Sequence, residues 1–125
     1  MEPAAPPPPA PTVGTISGTV SIPAGVPGTA GNSRVALYAD FADWQADRVL
    51  RQVAAGSDGS YAFSNMAPGT YYLDSWKDNN VNGLFDSGDF FGVFGSGSYP
   101  NFVVGPMDVA AGQTVTISVG MIVIP

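Results

Sequence analysis

The residues best equipped for chemistry lie between positions 78 and 89, in the run Asp-Asn-Asn-Val-Asn-Gly-Leu-Phe-Asp-Ser-Gly-Asp. Carboxylates this close repel one another unless solvent or a cation screens them. Calcium is a hard cation that takes six to eight oxygens. A twelve-residue EF-hand loop supplies them from positions 1, 3, 5, 7, 9 and 12, with glycine at position 6 for the sharp turn. Counted from Asp78, the ligand positions are Asp78, Asn80, Asn82, the Leu84 carbonyl, Asp86 and Asp89, and Gly83 takes the turn. Every polar position carries an oxygen, so the spacing predicts one bound Ca²⁺. Asp89 stands where a longer Glu is usual, which weakens bidentate coordination. Asn82-Gly83 is also a favoured type I′ hairpin pair. A hairpin alone, however, does not need oxygens at all of these positions.

Other chemistry is scarce. The chain has no His and no Cys. It therefore lacks the commonest general base and the usual zinc and copper ligand, and disulfides cannot report its compartment. Asp74 and Asp78 form the best remaining carboxylate pair for acid–base work, but the loop already accounts for Asp78. Ser96 and Ser98 lie in a Gly-rich stretch with no base, and Lys77 is expected to snorkel outward beside Trp76. These residues do not predict an enzyme. The net charge is -6, and the basic residues are Arg34, Arg48, Arg51 and Lys77. So few cannot build the basic face that nucleic acid requires, nor an electrostatic grip on anionic membrane. No apolar run is long enough for a membrane-spanning segment.

The elements that must position the loop are short strands. Residues 1–13 are a Pro/Ala-rich tract, expected to be a disordered, polyproline-type spacer, and 14–125 the folded domain. Met1 sits directly before that tract and reads as a start codon placed where a leader was removed. The expected location is then extracellular, cell-surface or periplasmic. From Thr15 onward Ile16, Gly18, Val20 and Ile22 alternate with polar residues, the period of a half-buried strand. Val35 and Leu37 mark a second strand. Residues 39–47 break the β pattern and suggest a loop or one helical turn capped by Asp40 or Asp43. Further strand patterns follow at 48–55, 60–64, 70–77, 89–95, 101–105 and 114–124, with turn signals at Ser57-Asp58-Gly59 and Pro68-Gly69. About seven short strands with frequent turns predict an antiparallel β-sandwich.

The order of these motifs is similar to a known family. Asp58-Gly59-Ser60-Tyr61-Ala62-Phe63 followed by Met66-Ala67-Pro68-Gly69-Thr70-Tyr71 resembles the G-x-Y-x-F…L-x-P-G-x-Y pattern of carboxypeptidase-regulatory-like (prealbumin-like) domains. Related calcium-binding B-type repeats of bacterial surface adhesins continue into a loop like 78–89. The resemblance covers residues 14–124 and is strongest over 56–95. It implies a seven-stranded antiparallel sandwich of Ig-like or transthyretin-like shape, a bound calcium, and a structural or adhesive role. It also implies that Tyr71 and Leu73 point into the core, with Tyr72, Asp74 and Trp76 facing out or under a loop. Residues 39–47 and 97–106 fit that pattern poorly.

The leading expectation is a non-catalytic secreted or cell-surface module with an unidentified protein or glycan partner. A carbohydrate-binding module is the alternative, because sugar C–H faces stack on flat rings. Tyr72 and Trp76 are the candidate ligand-binding aromatics, with Trp44, Phe90 or Phe91, Phe94 and Tyr99 available nearby. Phe90 and Phe91 are adjacent in a strand and cannot both face the core. A third expectation is a subunit of a surface layer or fibre, assembled through edge strands.

Overall fold

The structure is a computed structural model, and it describes residues 5–125. Of the expected spacer, residues 1–4 lie outside the described residues. Residues 5–13 are exposed and belong to no helix or strand. The chain then forms β1 (Gly14–Ser21), β2 (Arg34–Tyr38), the single-turn helix α1 (Phe41–Gln45), β3 (Arg51–Ala54), β4 (Ser60–Met66) and β5 (Gly69–Lys77). After the 78–89 loop come β6 (Phe90–Val93), β7 (Gly95–Ser96), β8 (Val103–Val104) and β9 (Met107–Val109). The C-terminal segment supplies β10 (Thr114–Thr116), β11 (Val119–Gly120) and β12 (Ile122–Val123).

The result is the expected β-sandwich. One sheet places β1 between β4 and the β10–β11 segment. The other runs β12-β6-β5-β2-β3, with β9 paired to the start of β5. A small β7–β8 ladder stands apart. The long strand expected near the C-terminus is broken into three, and its last piece changes partner. It runs parallel to β1 as β10 and β11, then crosses to pair antiparallel with β6 as β12. One segment thereby ties the two layers together. The parallel pairing departs from a purely antiparallel sandwich. The distance in sequence between the two partners permits it, since a parallel neighbour needs a long crossover rather than a hairpin. Close approach at this seam requires Gly18, where a Cβ would lie 1.7 Å from the Ile117 carbonyl oxygen.

Period-2 alternation fills the space between the sheets. Ile16, Val35, Leu37, Phe63, Leu73 and Phe90 are almost wholly buried, each side chain contributing about 1.5–3 kcal/mol. Tyr71 and Leu73 point into this core as expected. Tyr61 joins them and donates its hydroxyl to the Ile117 carbonyl at 2.6 Å. The Asp58-Gly59 turn forms where expected. Gly59 has φ +84° and sits so close to β1 that a Cβ would meet the Val20 oxygen at 2.2 Å.

The outer face of the larger sheet carries the features that matter for function. The register sets Arg34 opposite Trp76 and Trp76 opposite Phe91. The next row is Ala36, Asp74 and Val93, and beyond it Tyr38 faces Tyr72. Residues 39–47, which interrupt the β pattern, fold into α1. Asp40 is its N-cap and accepts from the Asp43 N–H at 2.7 Å, as a capping Asp does.

Candidate functional site

A cleft of about 560 Å³ lies against the outer sheet face between α1 and the 78–89 loop. That volume falls in the range of small-molecule sites, roughly 300–1,000 Å³. Its aromatic lining comes from α1 (Trp44), β5 (Trp76), the loop (Phe85) and β6 (Phe91), joined by Leu84 and the polar Arg34, Gln45, Asp47 and Asp74. Phe85 is 51% exposed. It packs between Trp76 at 6.0 Å and Phe91 at 5.0 Å, measured between ring centroids. The other hollows described, beside Asn32–Ala54 and Val53–Ala62, are smaller and have no tryptophan in their lining.

The floor is polar. Asp74 is 4% exposed although it points away from the sandwich core, enclosed by Trp44 of α1 and by Tyr38 and Arg34 of β2. Its Oδ2 accepts from the Tyr38 hydroxyl at 3.0 Å and from Trp44 Nε1 at 3.2 Å. Its Oδ1 lies 3.7 Å from Arg34 Nη2. Among the described residues neither Asp74 Oδ1 nor Arg34 Nε has a hydrogen-bond partner, although both are buried. Burial pushes the Asp74 carboxyl up to about 6, and the Arg34 charge and the Tyr38 and Trp44 hydrogen bonds only partly oppose it. Burial, reinforced by Asp74, holds the Tyr38 phenol well above its ordinary range, so it remains a donor. Arg34 also lies 5.5 Å from the Trp76 ring centroid, a cation–π distance. Asp47 takes a left-handed φ of 54° at the end of α1 and brings a second carboxylate 3.5 Å from Arg34 Nη2.

The 78–89 loop is held by its own side chains. Asp78 accepts from the Asn82 N–H at 3.2 Å and from the Gly83 N–H at 2.6 Å. Asn80 and Asn82 both turn their amides onto Asp86, and Asn82 Oδ1 accepts from the Leu84 N–H at 2.9 Å. Gly83 has φ +77°, the left-handed turn expected of it. Asp89 is different. It is fully buried and accepts from Trp76 Nε1 at 3.0 Å, the Asn79 N–H at 3.0 Å and the Asp86 N–H at 3.2 Å.

The residues expected to hold a metal are therefore brought together in part. Asn80, Asn82 and Asp86 converge, Asp78 caps the turn, and Asp89 lies inward at the base of the loop. No group of three or more acidic side chains among the described residues is close enough to hold a metal ion. The donor chemistry suits a hard cation, since all the side-chain donors are oxygens or amides whose oxygen and nitrogen exchange by a half-turn.

The candidate aromatics separate. Trp76 lines the cleft, whereas Tyr72 packs edge-on against Phe41 at 6.4 Å. Phe91 faces the cleft and Phe90 the core. Phe94 packs partly against the core, and Tyr99 is exposed. Lys77 carries its Nζ to the Thr29 carbonyl at 2.6 Å in an exposed contact. Sequence reasoning missed Arg34, Asp47 and Phe85 as site residues. Phe85 carried a signal, being a large apolar residue inside a polar loop.

No protein-family model matches this chain, and no curated protein sequence matches it. Its fold is similar to that of the minor pilin of Streptococcus agalactiae, at TM-score 0.54 and 13% identity over 93% of this chain. The match spans 47% of the pilin, about half its length. The fold is equally similar to a candidate carbohydrate-binding protein of Pseudomonas aeruginosa, at TM-score 0.53 and 15% identity over 90% of each chain. At these identities the likeness is one of fold. No helix among the described residues is long and apolar enough to cross a membrane.

Proposed function

We propose that this chain is a non-catalytic β-sandwich module of an extracellular or cell-surface protein, with a structural or adhesive role and one Ca²⁺ held by the 78–89 loop. The observation that carries the reading is the loop itself. Asp78, Asn82 and Asp86, spaced as calcium ligands, fold onto one turn around Gly83, and Asn80 reaches Asp86 beside it. Asp78, Asn80, Asn82, the Leu84 carbonyl, Asp86 and Asp89 would hold the ion, which would neutralise the loop's crowded carboxylates and cross-link its ends. The motif resemblance to adhesin repeats and the fold shared with a pilin support the surface role. Calorimetric titration with Ca²⁺ and thermal melts with and without chelator test the reading. An affinity between about 10⁻⁶ and 10⁻⁴ M is expected, with Asp78→Ala abolishing both the heat and the calcium-dependent stabilisation. No heat of binding together with an unchanged melt in chelator would refute it.

The cleft favours a second reading, carbohydrate binding. Trp76, Phe85 and Phe91 form an aromatic wall above a polar floor, the combination a sugar needs for stacking and for hydrogen bonds. The fold shared with a candidate carbohydrate-binding protein is consistent with it.

A further inference from the structure

We infer that the cleft between α1 and the 78–89 loop takes a neutral sugar, stacked on Phe85 beside Trp76 with adjacent ring hydroxyls directed at the Arg34–Asp74 pair; this rests on the carbohydrate reading and narrows its ligand. Beneath the lining side chains of Arg34 and Asp74 lie two atoms with unmet hydrogen-bonding capacity, Arg34 Nε and Asp74 Oδ1, both closed to solvent and reached only when these side chains shift toward a ligand. One can only donate and the other, when ionised, can only accept. Buried groups left in this condition are costly, so a ligand that partners both gains the most.

That requirement discriminates between ligand classes. A carboxylate, sulfate or phosphate satisfies Arg34 but faces Asp74 and Asp47. Two carboxylates oppose one guanidinium there, so the floor repels anions. An ammonium satisfies Asp74 but meets Arg34, which already occupies one face of the Trp76 ring. A hydroxyl both donates and accepts. Two hydroxyls on neighbouring ring carbons serve both atoms from one rigid scaffold, with little rotational entropy to lose. The C–H face of the same ring lies flat on an aromatic side chain, and the exposed Phe85 supplies one beside Trp76.

The test is titration at pH 7.5 of the intact chain with neutral cello-, chito- and manno-oligosaccharides. Oligogalacturonate and sialyllactose serve as anionic probes. Tryptophan fluorescence and calorimetry are the readouts, on wild type, Phe85→Ala and Phe85→Trp. At least one neutral probe should bind and perturb the emission. Anionic probes should bind at least about tenfold more weakly, as two facing carboxylates require. Phe85→Ala should weaken binding by up to about tenfold with little change in melting temperature, and Phe85→Trp should restore it. Anionic probes binding as well as neutral ones would overturn the inference and leave the carbohydrate reading standing. So would neutral binding indifferent to Phe85→Ala. Binding by no probe would overturn both.

Discussion

Trp76 donates its indole N–H to the buried carboxylate of Asp89 at 3.0 Å, joining the sheet face to the base of the loop beside it. The same carboxylate accepts backbone N–H groups from Asn79 and Asp86, so one side chain fixes both ends of the loop and one wall of the cleft.

Removing that carboxylate should loosen both. Asp89→Ala leaves three donors without their acceptor, a loss of about 3 kcal/mol or more in unfolding free energy by urea denaturation. Asp89→Asn keeps one acceptor oxygen and should cost less. The Trp76 emission should shift toward that of an exposed indole. A loss below about 1 kcal/mol for Asp89→Ala would show that the loop is held elsewhere.

Asp74 should give the fold a distinctive pH dependence. Its carboxyl is raised to about 6 in the folded state, from an ordinary value of 3.8. Between those limits the folded chain keeps a proton that the unfolded chain has lost. This group's contribution to stability therefore falls as pH rises from about 4 to about 6, then levels, an effect on the order of 3 kcal/mol. Asp58 runs the other way, because its hydrogen bonds from Ser60 lower its carboxyl. The clean measurement is thus the difference between wild type and Asp74→Asn, which isolates the Asp74 slope. A difference constant from pH 4 to 7 would contradict the burial of an ionisable Asp74.

Gly18 should be far less tolerant than most glycines. In Gly18→Ala the new methyl would sit 1.7 Å from the Ile117 oxygen, so β1 and the C-terminal segment must part. A cost of about 3 kcal/mol is expected from such overpacking. Gly69→Ala is the control, because its Cβ meets nothing nearer than the Tyr71 hydroxyl at 3.9 Å. It should change stability by less than about 1 kcal/mol. Equal melting of the two variants would mean the seam is not tightly packed.

Strand positions and core residues were legible because alternation marks one face of each strand, as Ile16, Val20, Leu37 and Leu73 illustrate. Direction was not. Alternation reads the same for parallel and antiparallel neighbours, so the pairing of Thr114–Thr116 with β1 could not be seen. The Asp/Asn loop was legible as a set of oxygens at fixed spacing. The burial of Asp89 and its bond from Trp76 were not, since spacing alone does not show which neighbours a carboxylate at position 12 accepts from. The cleft depends on contacts distant in sequence, such as Trp44 with Asp74 and Arg34 with Trp76. It also depends on a helix lying over a sheet face that carries Asp74. The alternation placed Asp74 outside the core, and its burial comes from Trp44, Tyr38 and Arg34 closing around it.

The parallel seam between β1 and the C-terminal segment has a mechanical consequence. A pull applied at Gly14, the start of β1, and at Gly120, the end of β11, draws these neighbouring strands past each other lengthwise. The bonds that join them, among them the Thr15 N–H to the Gln113 carbonyl at 2.9 Å, Ile117 N–H to Ser17 at 2.8 Å and Met121 N–H to Ser21 at 2.8 Å, are then loaded together in shear. A hairpin pulled at its open end would instead unzip one bond at a time. Between those two points the parallel seam resists extension as a set of bonds and not one bond at a time.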